Sequence, residues 1–140
     1  MYELLIVACL PDADEEKAAQ LQEKGVEVLR IPGVTTADIT EEQKEVISLP
    51  VLMKELGARK IDGILLEGGG QLNESALQAG IVDRIYCYIA PKIFGGAQAK
   101  TPVEGQGLTR AADAWQFNRI GMQEFGQDIL LEYEKAQELQ

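Results

Sequence analysis

The 140-residue sequence contains no histidine, which removes histidine triads, imidazole acid–base chemistry and histidine-held metals together. Cysteine is nearly absent. Cys9 and Cys87 sit far apart, each inside an apolar run, so they form neither a zinc spacing nor a disulfide framework and read as small, buried, reduced residues. Basic residues are scarce too. Thirteen Lys and Arg against 23 Asp and Glu give a formal net charge of −10, which repels phosphodiester backbones and anionic lipid, so neither nucleic acid nor membrane is expected as a partner. A small phosphorylated ligand is still allowed, because it needs only a local arrangement of N–H donors. The longest apolar run, Leu4 to Leu10, is far too short to cross a bilayer. It also lacks the basic leader and small-residue cleavage site of a signal peptide. The expected setting is soluble, reducing and cytoplasmic.

What is present is ordinary globular material: 46% hydrophobic and 26% charged residues, enough to exclude disorder along the whole chain and to suggest a single domain over residues 1–140. Leu4 to Leu10 reads as a strand covered on both faces. Asp12 or Asp14 can cap a helix that carries Glu15 and Glu16 in its first turn and stops at Gly25. Val26 to Ile31 is a second strand, so a parallel pair is expected. Thr35 to Glu45, polar and acidic, reads as a loop or a short solvated helix. Ser48 then opens a helix with Pro50 in its first turn and Gly57 as its stop. Ile61 to Glu67 reads as the next strand, Gln71 to Ala79 as a short helix ended by Gly80, and Val82 to Ala90 as an alternating strand. Pro91 to Gly107, with Gly95, Gly96, Gly105 and Gly107, is a long candidate binding loop. Trp115 to Glu124 and Ile129 to Glu134 flank a hairpin turn at Phe125 to Asp128, and Lys135 to Gln140 is expected to fray. The fold class is α/β: a three-layer, mixed, mostly parallel sheet with helices on both faces and a C-terminal antiparallel hairpin.

The stretch that carries chemistry is Leu65-Leu66-Glu67-Gly68-Gly69-Gly70-Gln71-Leu72-Asn73. A buried strand would deliver Glu67 at its carboxyl end, three glycines turn the chain, and a helix begins. Backbone without side chains lets a ligand approach closely, and the first-turn amides are unpaired and partly positive, so a phosphate or pyrophosphate is the natural guest. A tight glycine turn with no ligand is the plainer account. The P-loop pattern fails, because Gln71-Leu72-Asn73 stands where Gly-Lys-Ser/Thr belongs. The Rossmann pattern fails as well, lacking a small residue at Asn73 and an acidic residue about twenty positions on. Glu67 either caps a backbone N–H or accepts hydrogen bonds from a polar ligand such as an aminopyrimidine or a ribose hydroxyl.

Three stretches taken together resemble a known family: Ile64 to Leu72, Ala79-Gly80-Ile81-Val82-Asp83-Arg84, and Tyr88-Ile89-Ala90-Pro91-Lys92-Ile93-Phe94-Gly95-Gly96. With Ser48 to Gly57 and Gly126 to Leu131, they are similar to the reductase domain of riboflavin biosynthesis. That domain is the C-terminal half of the bifunctional deaminase/reductase and has a dihydrofolate-reductase-like fold. The resemblance runs from about Leu4 to Glu134. It implies NADPH-dependent reduction of 5-amino-6-(5-phosphoribosylamino)uracil to the ribitylamino product, with a phosphorylated pyrimidine as substrate; the expected assembly is a homodimer. By position, Glu67 matches the substrate-contacting glutamate. Gly69, Gly70, Gln71, Leu72, Asn73, Glu74 and Ser75 match the segment around the NADP phosphates. Lys92 lies in the family's Ala-Pro-Lys stretch and is assigned no role; no catalytic residue and no metal ligand is assigned either.

Family domains begin upstream of Tyr2 with a strand bearing an Asp-Gly-Arg/Lys-type motif. Neither that motif nor the deaminase's His-x-Glu and Pro-Cys-x-x-Cys occurs here. The expectation is therefore a partial, N-terminally shortened reductase domain that supplies the cofactor-phosphate half of a site. Two other readings remain open: a non-catalytic module that oligomerises by pairing sheet edges, and a binder of some other phosphorylated metabolite.

Overall fold

Aliphatic residues without Gly or Pro favour extended backbone. In the computed structural model, which describes residues 4–37 and 43–136, the first such run forms strand β1 (Ile6–Cys9). Pro11 closes it, and Asp14 then caps helix α1 (Glu15–Glu23), its carboxylate accepting the Lys17 N–H at 3.0 Å. Glu15 and Glu16 occupy the first turn, where negative charge suits the helix dipole. Gly25 follows the helix at φ +82°, a left-handed turn that glycine adopts without strain. The chain returns as β2 (Glu27–Arg30), which pairs with β1 in parallel, Ile6 opposite Glu27 and Cys9 opposite Arg30. Arg30 fastens the β1–α1 connection by donating to the carbonyls of Pro11 (2.8 Å) and Ala13 (3.0 Å) and pairing with Glu15 at 2.8 Å. Ala18, Val26, Leu29 and Ile31 are buried around this β-α-β unit.

The next segment corrects an expectation. Of the segment 35–45, read as a loop or solvated helix, residues 35–37 and 43–45 belong instead to the antiparallel strands β3 (Gly33–Ala37) and β4 (Gln43–Ile47), with Val34 opposite Val46. The acidic residues 41, 42 and 45 mask a β-branched character at both ends: Val34, Thr35, Thr36, Val46 and Ile47. Residues 38–42 lie outside the described residues. Helix α2 (Leu49–Ala58) starts after the buried Ser48, with Pro50 in its first turn. It runs through Gly57 rather than stopping there, and Lys60 adopts the left-handed conformation at φ +62°. Glycine permits a helix stop without compelling one. Arg59 ties the end of α2 to β2 by donating to Glu27 at 3.1 and 2.9 Å.

The chain divides into two compact units, Met1–Leu65 and Leu66–Gln140. Between Ile61 and Gly69 the backbone belongs to no strand, which corrects the strand expected over Ile61 to Glu67. Apolar composition favours extension, but a strand exists only where a neighbour supplies ladder hydrogen bonds.

In the second unit, α3 (Gly70–Gln78) buries Ala76 and ends before Gly80 at φ +68°. It is followed by β5 (Arg84–Ile89), β6 (Phe117–Phe125) and β7 (Asp128–Lys135), which form an antiparallel sheet in the order β5-β7-β6. The alternation expected of β5 holds from Ile85 to Tyr88, with Ile85 and Cys87 half-buried and Tyr86 and Tyr88 exposed, but Ile89, expected on the face of Ile85 and Cys87, is exposed. Gly126 turns the β6–β7 hairpin at φ +65°, and a bulge at Ile120 interrupts the β6 register. Lys135, expected to fray, is paired with Phe117 and donates its amide to the Asp83 carbonyl at 2.9 Å; residues 137–140 lie outside the described residues. Residues 91–116 are irregular except for a single 3-10 turn, Ala111–Asp113.

The mixed α/β class and the closing antiparallel hairpin are therefore present. Among the described pairings, only β1–β2 is parallel, so they run largely antiparallel rather than mostly parallel. No helix among the described residues is long and apolar enough to cross a membrane.

Candidate functional site

A helix begins with amides that have no intrahelical acceptor, and a capping side chain normally takes one of them. At α3 the N-cap is Gly69, in extended backbone (φ −75°, ψ 170°), which has no side chain to offer. The first helical amide satisfied internally is that of Asn73, donating to the Gly69 carbonyl at 3.1 Å. The N–H groups of Gly70, Gln71 and Leu72 meet no protein acceptor among the described residues. Three free donors at the positive end of a nine-residue helix are thus collected at one corner.

The two flanks of that corner differ. On one, Gly69 faces open space: a Cβ built there meets nothing within 4 Å. Gln71 and Leu72 are exposed, and the exposed Glu67 has no partner for its carboxylate among the described residues. At Gly68 the exposed Leu72 side chain folds back, so that a Cβ there would come within 2.7 Å of Leu72 Cδ2 unless that side chain moved.

The other flank is closed by residues 101–107. Gly70 is buried, its carbonyl accepting the Glu104 N–H at 3.1 Å, and a Cβ on it would run into the Glu104 side chain. Asn73 Nδ2 donates to the Pro102 carbonyl at 2.8 Å. The carboxylate of Glu74, only 8% exposed, accepts the Gly107 N–H at 2.9 Å and Gln78 Nε2 at 3.1 Å. Gly105, at φ +93°, passes so close to Glu74 that a Cβ would overlap its carboxylate. Ser75 Oγ donates back to the Gln71 carbonyl at 3.0 Å.

Of the residues singled out in the sequence, the structure places the backbone of Gly69, Gln71 and Leu72 at the open flank and Gly70, buried, against the closed one. The side chains of Asn73, Glu74 and Ser75 bond within the protein. The loop residues Pro102, Glu104, Gly105 and Gly107 close the corner's second flank. Their glycines marked a candidate loop in the sequence, but its contact with α3 could not be read from spacing. Of the four glycines noted in that stretch, Gly105 is the one where both a positive φ and a missing side chain are required. The corner offers neutral N–H donors, which suit a phosphate group approaching the amides, and the neighbouring Glu104 carboxylate is paired with Lys100 at 3.8 Å. No group of three or more His, Cys, Asp or Glu among the described residues could hold a metal.

Comparison with known proteins bears on this geometry. The family described as RibD C-terminal domain matches residues 3–131. Riboflavin biosynthesis protein RibD of Actinobacillus pleuropneumoniae is 40% identical over 128 residues, 91% of this chain and 31% of that protein. The 2,5-diamino-6-ribosylamino-4(3H)-pyrimidinone 5′-phosphate reductase of Methanothermobacter thermautotrophicus is 38% identical over 87 residues, 62% of this chain and 40% of that protein. Among solved structures, Acinetobacter baumannii RibD superposes with a TM-score of 0.70 at 19% identity, covering 94% of this chain and 37% of the other. A pyrimidine reductase-like protein of Corynebacterium diphtheriae superposes with a TM-score of 0.64 at 24% identity, covering 96% and 50%. The chain thus spans between about a third and a half of the length of these four proteins.

Proposed function

The chain belongs to the RibD C-terminal domain family, and on that premise we propose that it supplies the cofactor-phosphate part of a pyrimidine reductase site. The reaction is reduction of 5-amino-6-(5-phosphoribosylamino)uracil to 5-amino-6-(5-phosphoribitylamino)uracil. Turning a ribosyl into a ribityl group breaks the C1′–O4′ bond of the ring, adding a hydride at C1′ and a proton at the released O4′. A nicotinamide cofactor, NADPH in this reading, supplies the hydride when bound. The relative from Methanothermobacter thermautotrophicus is named for a closely related pyrimidinone 5′-phosphate, which supports this substrate class.

The observation that carries the reading is the set of three unsatisfied amides, Gly70 to Leu72, beside the open space at Gly69. Those N–H groups hold the cofactor phosphates, and the side chains of Asn73, Glu74 and Ser75 form the layer behind them. Glu67, exposed and unpartnered among the described residues, accepts hydrogen bonds from substrate N–H or O–H groups. Hydride transfer asks the protein chiefly for orientation, so a grip on the phosphates contributes by fixing where the nicotinamide lies.

Gly69→Asp tests this reading, because it moves stability and binding in opposite directions. The new carboxylate can cap α3 and strengthen the fold by up to about 1 kcal/mol, while its charge occupies the anion corner. Fluorescence titration is expected to show NADPH binding lost in a variant whose melting temperature is unchanged or raised. Undiminished binding by that variant would place the cofactor elsewhere and overturn the reading.

A further inference from the structure

Residues Gly70, Asn73 and Glu74 stand at i, i+3 and i+4, so they share one face of α3. Each of the three contacts the same loop: Gly70 accepts from Glu104, Asn73 donates to Pro102, and Glu74 accepts from Gly107. The free amides of Gln71 and Leu72 belong to residues on the rest of the helix surface. Glu74 holds the far end of the loop and is the most buried of its side-chain fastenings, at 8% exposure. A buried carboxylate is tolerated only when hydrogen-bonded. Here its bonds go to the loop amide of Gly107 and to Gln78, with Gly105 pressed against it.

We propose that Glu74 is a positioning residue: it latches residues 101–107 onto one face of α3, so that the opposite flank of the helix N-terminus is the one left open to a nucleotide phosphate. The proposal rests on the reading of this corner as the cofactor-phosphate site. Glu74 itself touches no ligand. It acts through Gly105 and Gly107, which keep Glu104 seated against Gly70. Without the latch the loop leaves Gly70, the corner loses a wall, and the three amides are no longer presented in one fixed orientation.

The experiment compares the full chain with Glu74→Ala and Glu74→Gln, using NADPH titration and hydrogen–deuterium exchange of the peptide spanning residues 100–107. Glutamine keeps an oxygen that can accept the Gly107 N–H, and alanine does not. The expected result for alanine is a rise of about ten-fold in the NADPH dissociation constant together with faster exchange in 100–107. For glutamine it is affinity within about two-fold of the parent, since the neutral bond is retained. Parent-like affinity and protection in a folded Glu74→Ala chain would overturn the proposal, as would equal loss in both variants.

Should Glu74→Ala fail to fold, Gly105→Ala breaks the latch from the loop side, by strain at φ +93° and by overlap with the carboxylate. The same loss of affinity and protection is expected, and parent-like values for both overturn the proposal. If the unsubstituted chain binds no NADPH, the proposed function fails. The latch is then judged by exchange alone, where unchanged protection of 100–107 in the variants overturns it and faster exchange supports it.

Discussion

Gly69 and Gly70 are neighbours in the sequence, yet a methyl group added to each has a different fate. At Gly69 it enters open space in backbone that any residue adopts, so Gly69→Ala should change stability by less than about 1 kcal/mol. At Gly70 the methyl runs into the Glu104 side chain and must push the loop aside. Gly70→Ala should therefore cost about 1–3 kcal/mol in urea denaturation, as overpacking does. Charge at single residues is equally specific. The Arg110 guanidinium, 2.7 and 2.8 Å from the Asp113 carboxylate oxygens, holds that carboxyl below its usual range. A depressed folded-state pKa means that the pair's contribution is present above the ordinary carboxylate range and is lost as pH falls through the lowered value. NMR titration should find the Asp113 midpoint below that of a free aspartate, and Arg110→Gln should return it upward.

At the scale of elements, α1 shows a signal that worked at every level. Asp14 caps it, Glu15 and Glu16 fill its first turn and Gly25 takes the left-handed turn behind it, each legible as a residue type at a position. Asp14→Ala is expected to lower stability by about 1 kcal/mol in thermal melts, through loss of the bond to the Lys17 amide. The β6–β7 hairpin was equally legible, because alternating residues flank Gly126.

Signals failed where an element depends on its partner. Ile61 to Glu67 has the composition of a strand, but pairing is not a property of the segment alone. Strands β3 and β4 make the reverse case, since acidic residues in the intervening sequence hide β-branched ends that pair with each other. The glycine corner lay between these extremes. Gly68 to Gly70 announced a close approach, whereas the contact between α3 and residues 101–107 joins positions about thirty apart and follows from tertiary packing.

For the whole molecule the net charge of −10 sets how an anionic cofactor arrives. Under the proposed function the corner attracts the cofactor phosphate through oriented amides within a short range, while the surrounding field repels it. Raising sodium chloride screens the repulsion more than the close contact, so the NADPH association rate should increase with salt in stopped-flow measurements. A protein recruiting its anion with surface lysines would show the opposite trend. A separate consequence follows from the unladdered stretch between α2 and α3, where residues 62–67 are all exposed and Leu65 stands 73% open. Proteases bind substrates as extended, accessible chain, and this run presents both that shape and leucines for thermolysin to seize. Brief digestion should nick it first and leave two large fragments divided near Leu65, visible by mass spectrometry before any cut falls within a helix.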